Sequence, residues 1–222
     1  WREMAKQVAH EIKNPLTPMR LSIQLLQQAY KDKKPDMEQR LERVTKTIIE
    51  QIDTLSSIAS AFSDFAKMPK ASNERIDLCD SLESVIELFR ETSENTSFEF
   101  EKNGIGEAFI FADREQVLRV FTNLIKNAIQ AIPDEQEGKV IITISRQDDM
   151  FVVSVKDNGT GIDDDVIDKI FVPNFTTKTA GMGLGLAMVK NIVETASGRI
   201  WFETTKDQGT TFFVALKVYE EQ

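Results

Sequence analysis

The chain contains a single histidine, His10, with neighbours whose side chains could assist chemistry at an imidazole. Residues 8 to 18 read V-A-H-E-I-K-N-P-L-T-P. Glu11 follows His10 directly, and Asn14 comes four residues later, which places it one turn away on the same helical face. Imidazole titrates at about pH 6.5, so at pH 7 it is largely neutral and nucleophilic. His10 could therefore attack an electrophile brought to it, although a lone exposed histidine is more often a solvated surface residue.

Two asparagines, Asn123 and Asn127, stand one turn apart in the middle of a predicted helix. Asparagine is a poor residue for a helix interior because its side chain competes for backbone hydrogen bonds. A pair of them on one face suggests a task, such as placing carbonyl oxygens on Mg²⁺ and phosphate. The alternative is a pair of solvated amides.

A predicted strand delivers the acid Asp157 into a glycine turn, in the stretch V-K-D-N-G-T-G-I of residues 155 to 162. Gly159 and Gly161 would let the backbone approach a flat ligand closely. A carboxylate at this point could accept a hydrogen bond from an exocyclic amine such as that of adenine. The alternative is an ordinary D-N-G turn, which is a common signal.

A second glycine-rich segment, G-M-G-L-G-L at residues 181 to 186, runs directly into a predicted helix. Glycines there expose backbone N–H groups at a helix N-terminus, which favours phosphate. The motif is weak by itself. No Gly-Lys-Ser/Thr follows it, and no strand precedes it in the order of a dinucleotide-binding unit.

Residues 1 to 68 contain no glycine and predict two helices joined by a polar turn at 33–36. Apolar residues recur at spacings of three and four, which is typical of a helical bundle. They are Val8, Ile12, Met19, Ile23 and Leu26 in the first helix, and Leu41, Val44, Ile48, Ile52, Leu55, Ile58, Phe62 and Phe65 in the second. One hairpin has too small a core to stand alone. We therefore expect two copies to form a four-helix bundle, a homodimer, rather than one hairpin packing on its own second domain.

After a linker the pattern changes to mixed α/β. Strands are predicted at 76–78, 98–100, 109–111, 140–145, 151–155, 199–204 and 211–218. Helices are predicted at 80–90, 113–131 and 183–196, with a short helix among the loops of 158–182. The first of these helices is expected to be capped by Asp80.

Composition excludes some functions. The net charge of −9 and the absence of a basic tract argue against nucleic-acid binding. The single cysteine, Cys79, allows no internal disulfide and fits a reducing compartment. No apolar run approaches the roughly 20 residues needed to span a bilayer, and there is no signal peptide. We expect a cytoplasmic fragment without a membrane segment, from a longer protein that could be anchored upstream of Trp1.

Together these motifs, in this order and spacing, resemble the sensor histidine kinases of two-component systems over essentially the whole chain. Pro-Leu-Thr-Pro at 15–18 and Phe-Thr-Thr-Lys at 175–178 are most similar to the nitrogen-regulation type. The resemblance implies a dimerisation and phosphotransfer hairpin at 1–68, a linker at 69–74, and an ATP-binding α/β sandwich at 75–222. That sandwich is shared with gyrase, heat-shock-chaperone and mismatch-repair ATPases.

The resemblance also implies roles for individual residues. His10 would be the phosphoacceptor with Glu11 as its base, Asn127 would hold Mg²⁺ with help from Asn123, and Asp157 would bind adenine. The nucleotide pocket and its lid would be shaped by Gly159, Gly161, Gly181, Gly183, Gly185 and Leu186. Lys178 in the lid is a candidate phosphate contact, and the alternative is a solvated loop lysine, since lysine is usually exposed. Glu11-x-x-Asn14 resembles the phosphatase motif of this class.

The implied enzyme is a protein histidine kinase that phosphorylates His10 from ATP and passes the phosphoryl group to an aspartate of a separate response-regulator receiver. One departure from the pattern is Asn174, at a position where many relatives carry an aromatic residue. The lid, roughly residues 171 to 184, is also short. Two alternatives remain at this point. One is an ATPase of the same fold that does not use His10, and the other is a non-catalytic dimeric scaffold.

Overall fold

The computed structural model describes residues 2–66, 71–93, 95–172 and 183–220, with side chains left out at 2–11, 57 and 60–66. The described residues divide into two compact units, one of residues 2–66 with 183–184 and the other of residues 71–93, 95–172 and 185–220. Within the described ranges, no helix is both long and apolar enough to cross a membrane.

The first unit is a hairpin of two 30-residue helices, α1 (Arg2–Lys31) and α2 (Met37–Ala66). The turn between them includes Lys33, whose φ of 52° is left-handed. Arg40 donates to Asp36 at 2.8 Å at the start of α2, and this bond holds the pKa of the Asp36 carboxyl below its usual value. The predicted helical hairpin is confirmed.

Only part of the predicted apolar stripe is covered within the hairpin. Of its members with described side chains, Ile58 is buried and five are half-buried: Met19, Leu26, Val44, Ile48 and Leu55. Pro15 and Ala29, which were not in the predicted stripe, are also buried. Several other large apolar side chains are more than a third exposed: Ile12, Leu16, Leu21, Ile23, Leu25, Tyr30, Leu41, Ile49 and Ile52. A single hairpin therefore leaves a substantial apolar surface open.

The second unit is an α/β sandwich. Its strands are β1 (Glu74–Asp77), β2 (Thr96–Glu101), β3 (Phe109–Ala112), β4 (Gly138–Gln147), β5 (Met150–Asp157), β6 (Arg199–Thr205) and β7 (Gly209–Lys217). Its helices are α3 (Leu78–Thr92), α4 (Arg114–Ala131) and α5 (Gly185–Thr195), with a 3₁₀ turn at Ile167–Lys169. Five strands form a sheet in the order β2-β4-β5-β7-β6, in which only the β2–β4 pair is parallel. Strands β1 and β3 form a separate antiparallel pair.

The core lies between the helices and one face of the five-stranded sheet. Side chains of the central strands are buried in cross-strand rows, for example Ile142 opposite Val155 and Val153 opposite Val214. The helices contribute fully buried side chains such as Phe121. Cys79 is also fully buried here, and this burial raises the pKa of its thiol.

Two predicted helix starts are wrong. Helix α3 begins at Leu78, and its N-cap is Asp77 rather than Asp80. The carboxylate of Asp77 accepts from Cys79 N at 2.8 Å and also from Ala108 N at 3.0 Å, so this residue joins the helix start to a distant loop. Helix α5 begins at Gly185, since the φ of +60° at Gly183 is incompatible with an α-helix.

Candidate active site

Asp157, the last residue of β5, is 3% exposed and is held by two backbone donors. Its Oδ1 atom accepts from Gly159 N at 2.8 Å and from Thr210 N at 3.2 Å. An ionised carboxylate can only accept hydrogen bonds. The β5 end therefore presents a fixed, buried acceptor beside a glycine turn.

The loop that follows Asp157 is tied to the elements around it. Thr160 N donates to the carbonyl oxygen of Ala131 at the end of α4, at 3.0 Å. Asn158 bridges the start of β4, since its side chain accepts from Lys139 N and donates to Glu137 O, each at 2.9 Å. These bonds give the predicted glycine turn a defined position next to α4.

The far end of the same loop is tied to the β6–β7 turn. After Gly161, Ile162 N donates to Thr204 Oγ1 at 2.9 Å. Lys206 pairs with Asp163 at 2.6 Å, and that bond raises the pKa of Lys206. The loop is therefore held at both ends.

Sequence reasoning missed the contribution of the β6–β7 turn. Thr210 is 4% exposed and bonds Asp157, and its hydroxyl lies 3.0 Å from that of Thr204. The preceding Gly209 has a φ of +104°, and a Cβ there would collide with the backbone oxygen of Asp157. The stretch Q-G-T-T at 208–211 reads as a plain hairpin turn, and the presence of a glycine at 209 is its one hint of a close backbone approach.

The two predicted asparagines lie on α4 and are half-buried. The Asn123 side-chain amide donates to Arg119 O at 2.8 Å, which turns its Oδ1 atom away from that carbonyl. A Cβ built on Gly185 would lie 2.9 Å from this Oδ1 atom. The structure thus brings the asparagine motif against the start of α5.

Asn123 and Asn127 suit a Mg²⁺ ion that also binds a phosphate ligand. The described residues contain no group of three or more His, Cys, Asp or Glu side chains that could hold a metal by themselves. Mg²⁺ commonly uses few protein oxygens and takes its other ligands from water and substrate phosphates. The carboxamide oxygens of Asn123 and Asn127 have this chemistry, so the donor set fits the ion.

The N-terminus of α5 adds backbone donors. Gly185 and Leu186 occupy its first two positions, where N–H groups have no partner within the helix. Such a terminus favours a phosphate group. Lys178, Gly181 and Asn174 lie outside the described residues.

The predicted phosphoacceptor region is in the helical unit. The backbones of His10 and Glu11 belong to α1, while their side chains lie outside the described set. Asn14 is exposed on the same helix. Helix α1 continues through Pro15 and Pro18, and since Pro18 has no N–H, the carbonyl of Asn14 lacks its usual helical donor.

Comparison with known proteins gives matches to both units. Residues 112–220 match the family described as Histidine kinase-, DNA gyrase B-, and HSP90-like ATPase, and residues 1–70 match the His Kinase A (phospho-acceptor) domain. A putative NtrY-like sensor histidine kinase of Rickettsia felis is 34% identical over 209 residues, covering 94% of this chain and 35% of the relative. The chain thus spans roughly a third of the length of the curated relatives that it matches.

Solved structures of a histidine kinase are also similar to this chain. The catalytic domain of histidine kinase ThkA is similar with a TM-score of 0.60 and 33% identity, covering 66% of this chain and 96% of that domain. A crystal structure of ThkA in complex with the response regulator protein TrrA has a TM-score of 0.73 and 27% identity, covering 98% of this chain and 61% of that one. Since both units and their order match, the chain belongs to the sensor histidine kinases and is of the nitrogen-regulation-like type.

Proposed function

We propose that the chain uses ATP to phosphorylate His10 and then transfers the phosphoryl group to an aspartate of a separate response regulator. The observation that carries this proposal is the buried carboxylate of Asp157, fixed by the N–H groups of Gly159 and Thr210. A fixed acceptor of this kind suits the exocyclic amine of adenine. The phosphoacceptor match over residues 1–70 supports His10 as the group that receives phosphate.

The phosphates of ATP would extend from Asp157 toward α4 and α5. The helix N-terminus at Gly185 supplies N–H donors, and Asn123 and Asn127 supply carbonyl oxygens. Mg²⁺, when bound there, neutralises phosphate charge. Gly183, Leu186 and the lid residues Lys178 and Gly181 would surround the same phosphates.

In the phosphoryl-transfer step, a ring nitrogen of His10 attacks the γ-phosphorus in line with the bond to ADP. The new P–N bond forms as the bond to the β–γ bridging oxygen breaks, and ADP leaves. Glu11 takes the imidazole proton. Catalysis of this kind depends mainly on positioning and electrostatics, since the protein forms few covalent bonds itself.

Phosphohistidine would then serve as donor to the receiver. A carboxylate oxygen of the receiver's aspartate attacks the phosphorus, the P–N bond breaks, and the imidazole recovers its proton. The structure of ThkA bound to a response regulator supports a partner of the same class for this chain. Use of ATP and such a partner is consistent with a cytoplasmic location.

A homodimer is proposed from the exposed apolar side chains of the hairpin. Successive residues of an α-helix are rotated by about 100° around its axis. With this rotation, Ile12, Leu16 and Ile23 of α1 lie to one side of the α1–α2 contact. Leu41 and Ile52 of α2 lie to the same side. A second hairpin would cover this surface in a four-helix bundle.

The proposed domain boundaries are 1–68 for the dimerisation and phosphotransfer hairpin, 69–74 for the linker, and 75–222 for the ATP-binding α/β sandwich.

Asn14 supports a second activity, dephosphorylation of the phosphorylated regulator. Its exposed amide lies one helical turn from His10, where a receiver must approach to accept phosphate. An amide both donates and accepts hydrogen bonds, so it could orient a water toward the acyl phosphate. Bifunctional kinase–phosphatase action is therefore part of the proposal.

Incubation with ATP labelled at the γ-phosphate tests the function. Acid-labile, base-stable label on the protein, lost in His10→Gln, is expected because no second histidine exists to accept phosphate. Release of free phosphate without protein label would indicate an ATPase of the same fold. Absence of both label and release would indicate a non-catalytic scaffold. The His10→Gln protein should still bind ATP, and label on that variant would contradict the assignment.

A further inference from the structure

Asp113, the residue before α4, is 9% exposed, and both of its carboxylate oxygens accept hydrogen bonds from backbone N–H groups. Its Oδ1 atom accepts from Gln116 N at 3.0 Å and so caps α4. Its Oδ2 atom accepts from Ser72 N at 2.8 Å, across 41 residues of sequence. Capping a helix needs only one side-chain oxygen. Asp113 therefore has a second task, which is to attach the linker segment, residues 71–73, to the start of α4.

The linker segment packs incompletely on the sandwich. Ala71, Ser72 and Asn73 are all exposed. Ala71 and Asn73 line a cavity of about 40 Å³ whose other walls include the start of α4 and the end of α5. Since this space is not filled by side chains, the position of the segment depends strongly on its hydrogen bond. A carboxylate is a strong acceptor for a backbone N–H, so the bond between Ser72 and Asp113 suits this task.

Ser72 also stands at a particular place in the chain. Helix α2 ends at Ala66 and strand β1 begins at Glu74. Among the described residues between these two elements, Ser72 is the one that donates a hydrogen bond to the sandwich. Without that bond, the first hydrogen-bonded attachment moves two residues along the chain, to β1. The bond therefore shortens the connection between the hairpin and the sandwich.

We propose that Asp113 is a positioning residue for autophosphorylation, because its bond to Ser72 fixes where the chain from the hairpin enters the sandwich. This inference rests on the proposed function, since it concerns the transfer of phosphate from the sandwich to His10. A longer connection lowers the effective concentration of one unit near the other. Phosphoryl transfer depends mainly on positioning, and a misplacement of about 1 Å can cost roughly 100-fold in rate. Loss of the bond should therefore slow the transfer to His10.

ATP binding should not depend on the same bond. Asn123 lies more than two helical turns from Asp113 along α4, and the carboxylate of Asp157 is held by Gly159 and Thr210. A purely structural role for Asp113, as the cap of α4, has a different signature. Loss of the cap would destabilise the helix that carries Asn123, so that ATP affinity and stability would fall together with the rate.

The bond between Ser72 and Asp113 can be removed from either side. Asp113→Asn keeps one oxygen for Gln116 N, and asparagine caps a helix about as well as aspartate. Its amide nitrogen cannot accept the N–H of Ser72. Ser72→Pro removes the N–H donor and leaves Asp113 unchanged. Because the two changes remove the same bond, the double variant should be no slower than the slower single variant.

The experiment measures the rate of His10 labelling at saturating ATP in the whole chain. We expect Asp113→Asn and Ser72→Pro each to label about 10-fold more slowly than wild type, less than the roughly 100-fold of a full misplacement because the units stay connected. ATP affinity is measured by calorimetry with His10→Gln added to each protein, which avoids turnover. It should stay within about 2-fold of the value without the linker change. Thermal unfolding should show that the cap of α4 is kept.

Two matched controls are available. Ser72→Ala removes the hydroxyl but keeps the N–H, and Asp80→Asn removes an exposed acid from the first turn of α3. Both should label as fast as wild type. A wild-type or faster rate in Asp113→Asn or in Ser72→Pro would overturn the inference alone, as would an equal fall in rate and ATP affinity. Absence of label on the wild-type chain would overturn the proposed function itself.

Discussion

Gly185 lies directly against the side chain of Asn123, so closely that a Cβ on Gly185 would stand 2.9 Å from Asn123 Oδ1. Asn123 can move its amide away only by giving up the hydrogen bond that its nitrogen donates to Arg119 O. The absence of a side chain at the start of α5 therefore decides where the Asn123 carbonyl oxygen can lie. That oxygen is one of the two proposed to contact Mg²⁺ beside the phosphates.

Gly185→Ala should weaken nucleotide binding without destabilising the fold. The atom in the way is the end of a side chain, so Asn123 would shift instead of the backbone. Alanine also favours a helix over glycine by about 0.5–1 kcal/mol. We expect the affinity for ATP with Mg²⁺ to fall by about 10-fold, the cost of one displaced ligand contact. Calorimetric titration measures the affinity, and thermal unfolding measures the stability.

Gly106→Ala is the control for this change. A Cβ at Gly106 would meet no heavy atom within 4 Å. Its binding should match wild type. Unchanged affinity in Gly185→Ala would show that the Asn123 position does not matter for the nucleotide.

Asp157→Asn should lose at least about 100-fold in ATP affinity, since a site built to pair with a particular polar group discriminates strongly when the pairing is reversed. Asparagine can keep an oxygen on Gly159 N and Thr210 N, which preserves the local fold. Its amide nitrogen then presents a donor where the amine of adenine needs an acceptor. Calorimetry with ATP tests this, beside a far-ultraviolet spectrum that should be unchanged. Affinity close to wild type would move the base-reading role to another residue.

The same variant can reveal which subunit phosphorylates which. Asp157→Asn and His10→Gln are each inactive in the proposed scheme, one in nucleotide binding and the other in accepting phosphate. Mixed dimers should regain label on the Asp157→Asn subunit only if phosphate crosses between subunits. Absence of label in verified mixed dimers indicates transfer within one subunit.

The candidate site was partly predictable from sequence because some of its signals are local. Asn123 and Asn127 are unusual for a helix interior, and Asp157 stands before two glycines, so each pattern is visible within a few residues. The close approach of Gly185 to Asn123 joins distant segments, and no local pattern encodes it. The roles of these residues stay predictions until binding is measured.

Thr204 and Thr210 show why the rest could not be predicted. Threonine is an ordinary strand residue, favoured by its branched side chain, and carries no signal of a site. Their importance comes from register, which sets Thr204 opposite Thr210 and Thr210 beside Asp157. Similarly, Asp77 rather than Asp80 caps α3 because its carboxylate also binds Ala108 N, a contact across a loop. Tertiary contacts of this kind decide between neighbouring candidates that look equal in sequence.

The exposed apolar surface of the hairpin gives a prediction for assembly. Ile52 is 50% exposed, and burial of its exposed half in a dimer contributes about 1 kcal/mol per subunit. Ile52→Glu would place a charge from each subunit in the interface. We expect the dimer dissociation constant to rise by at least about 100-fold, measured by analytical ultracentrifugation. ATP binding should be retained, because the proposed nucleotide site lies in the other unit.

Gln39→Glu adds the same side chain at an exposed position of α2 that falls on the other side of the α1–α2 contact. It should leave the dimer intact. A monomeric wild type, or Ile52→Glu dimers as tight as those of wild type, would contradict the four-helix bundle.

Asn14 provides the test of phosphatase activity. If Asn14 orients the attacking water, Asn14→Ala should lose most dephosphorylation of the regulator, on the order of 100-fold in rate. Autophosphorylation should stay near normal, because the proposed attacking group in that step is the His10 ring nitrogen, which needs no water. The alternative is that Asn14 only adapts α1 to Pro15 and Pro18, in which case altered helix geometry would affect both activities together. The measurement is the decay of phosphorylated regulator with ADP present, for wild type and Asn14→Ala, beside the rates of His10 labelling. Equal decay in the two proteins, or equal loss of both activities, would defeat the proposal.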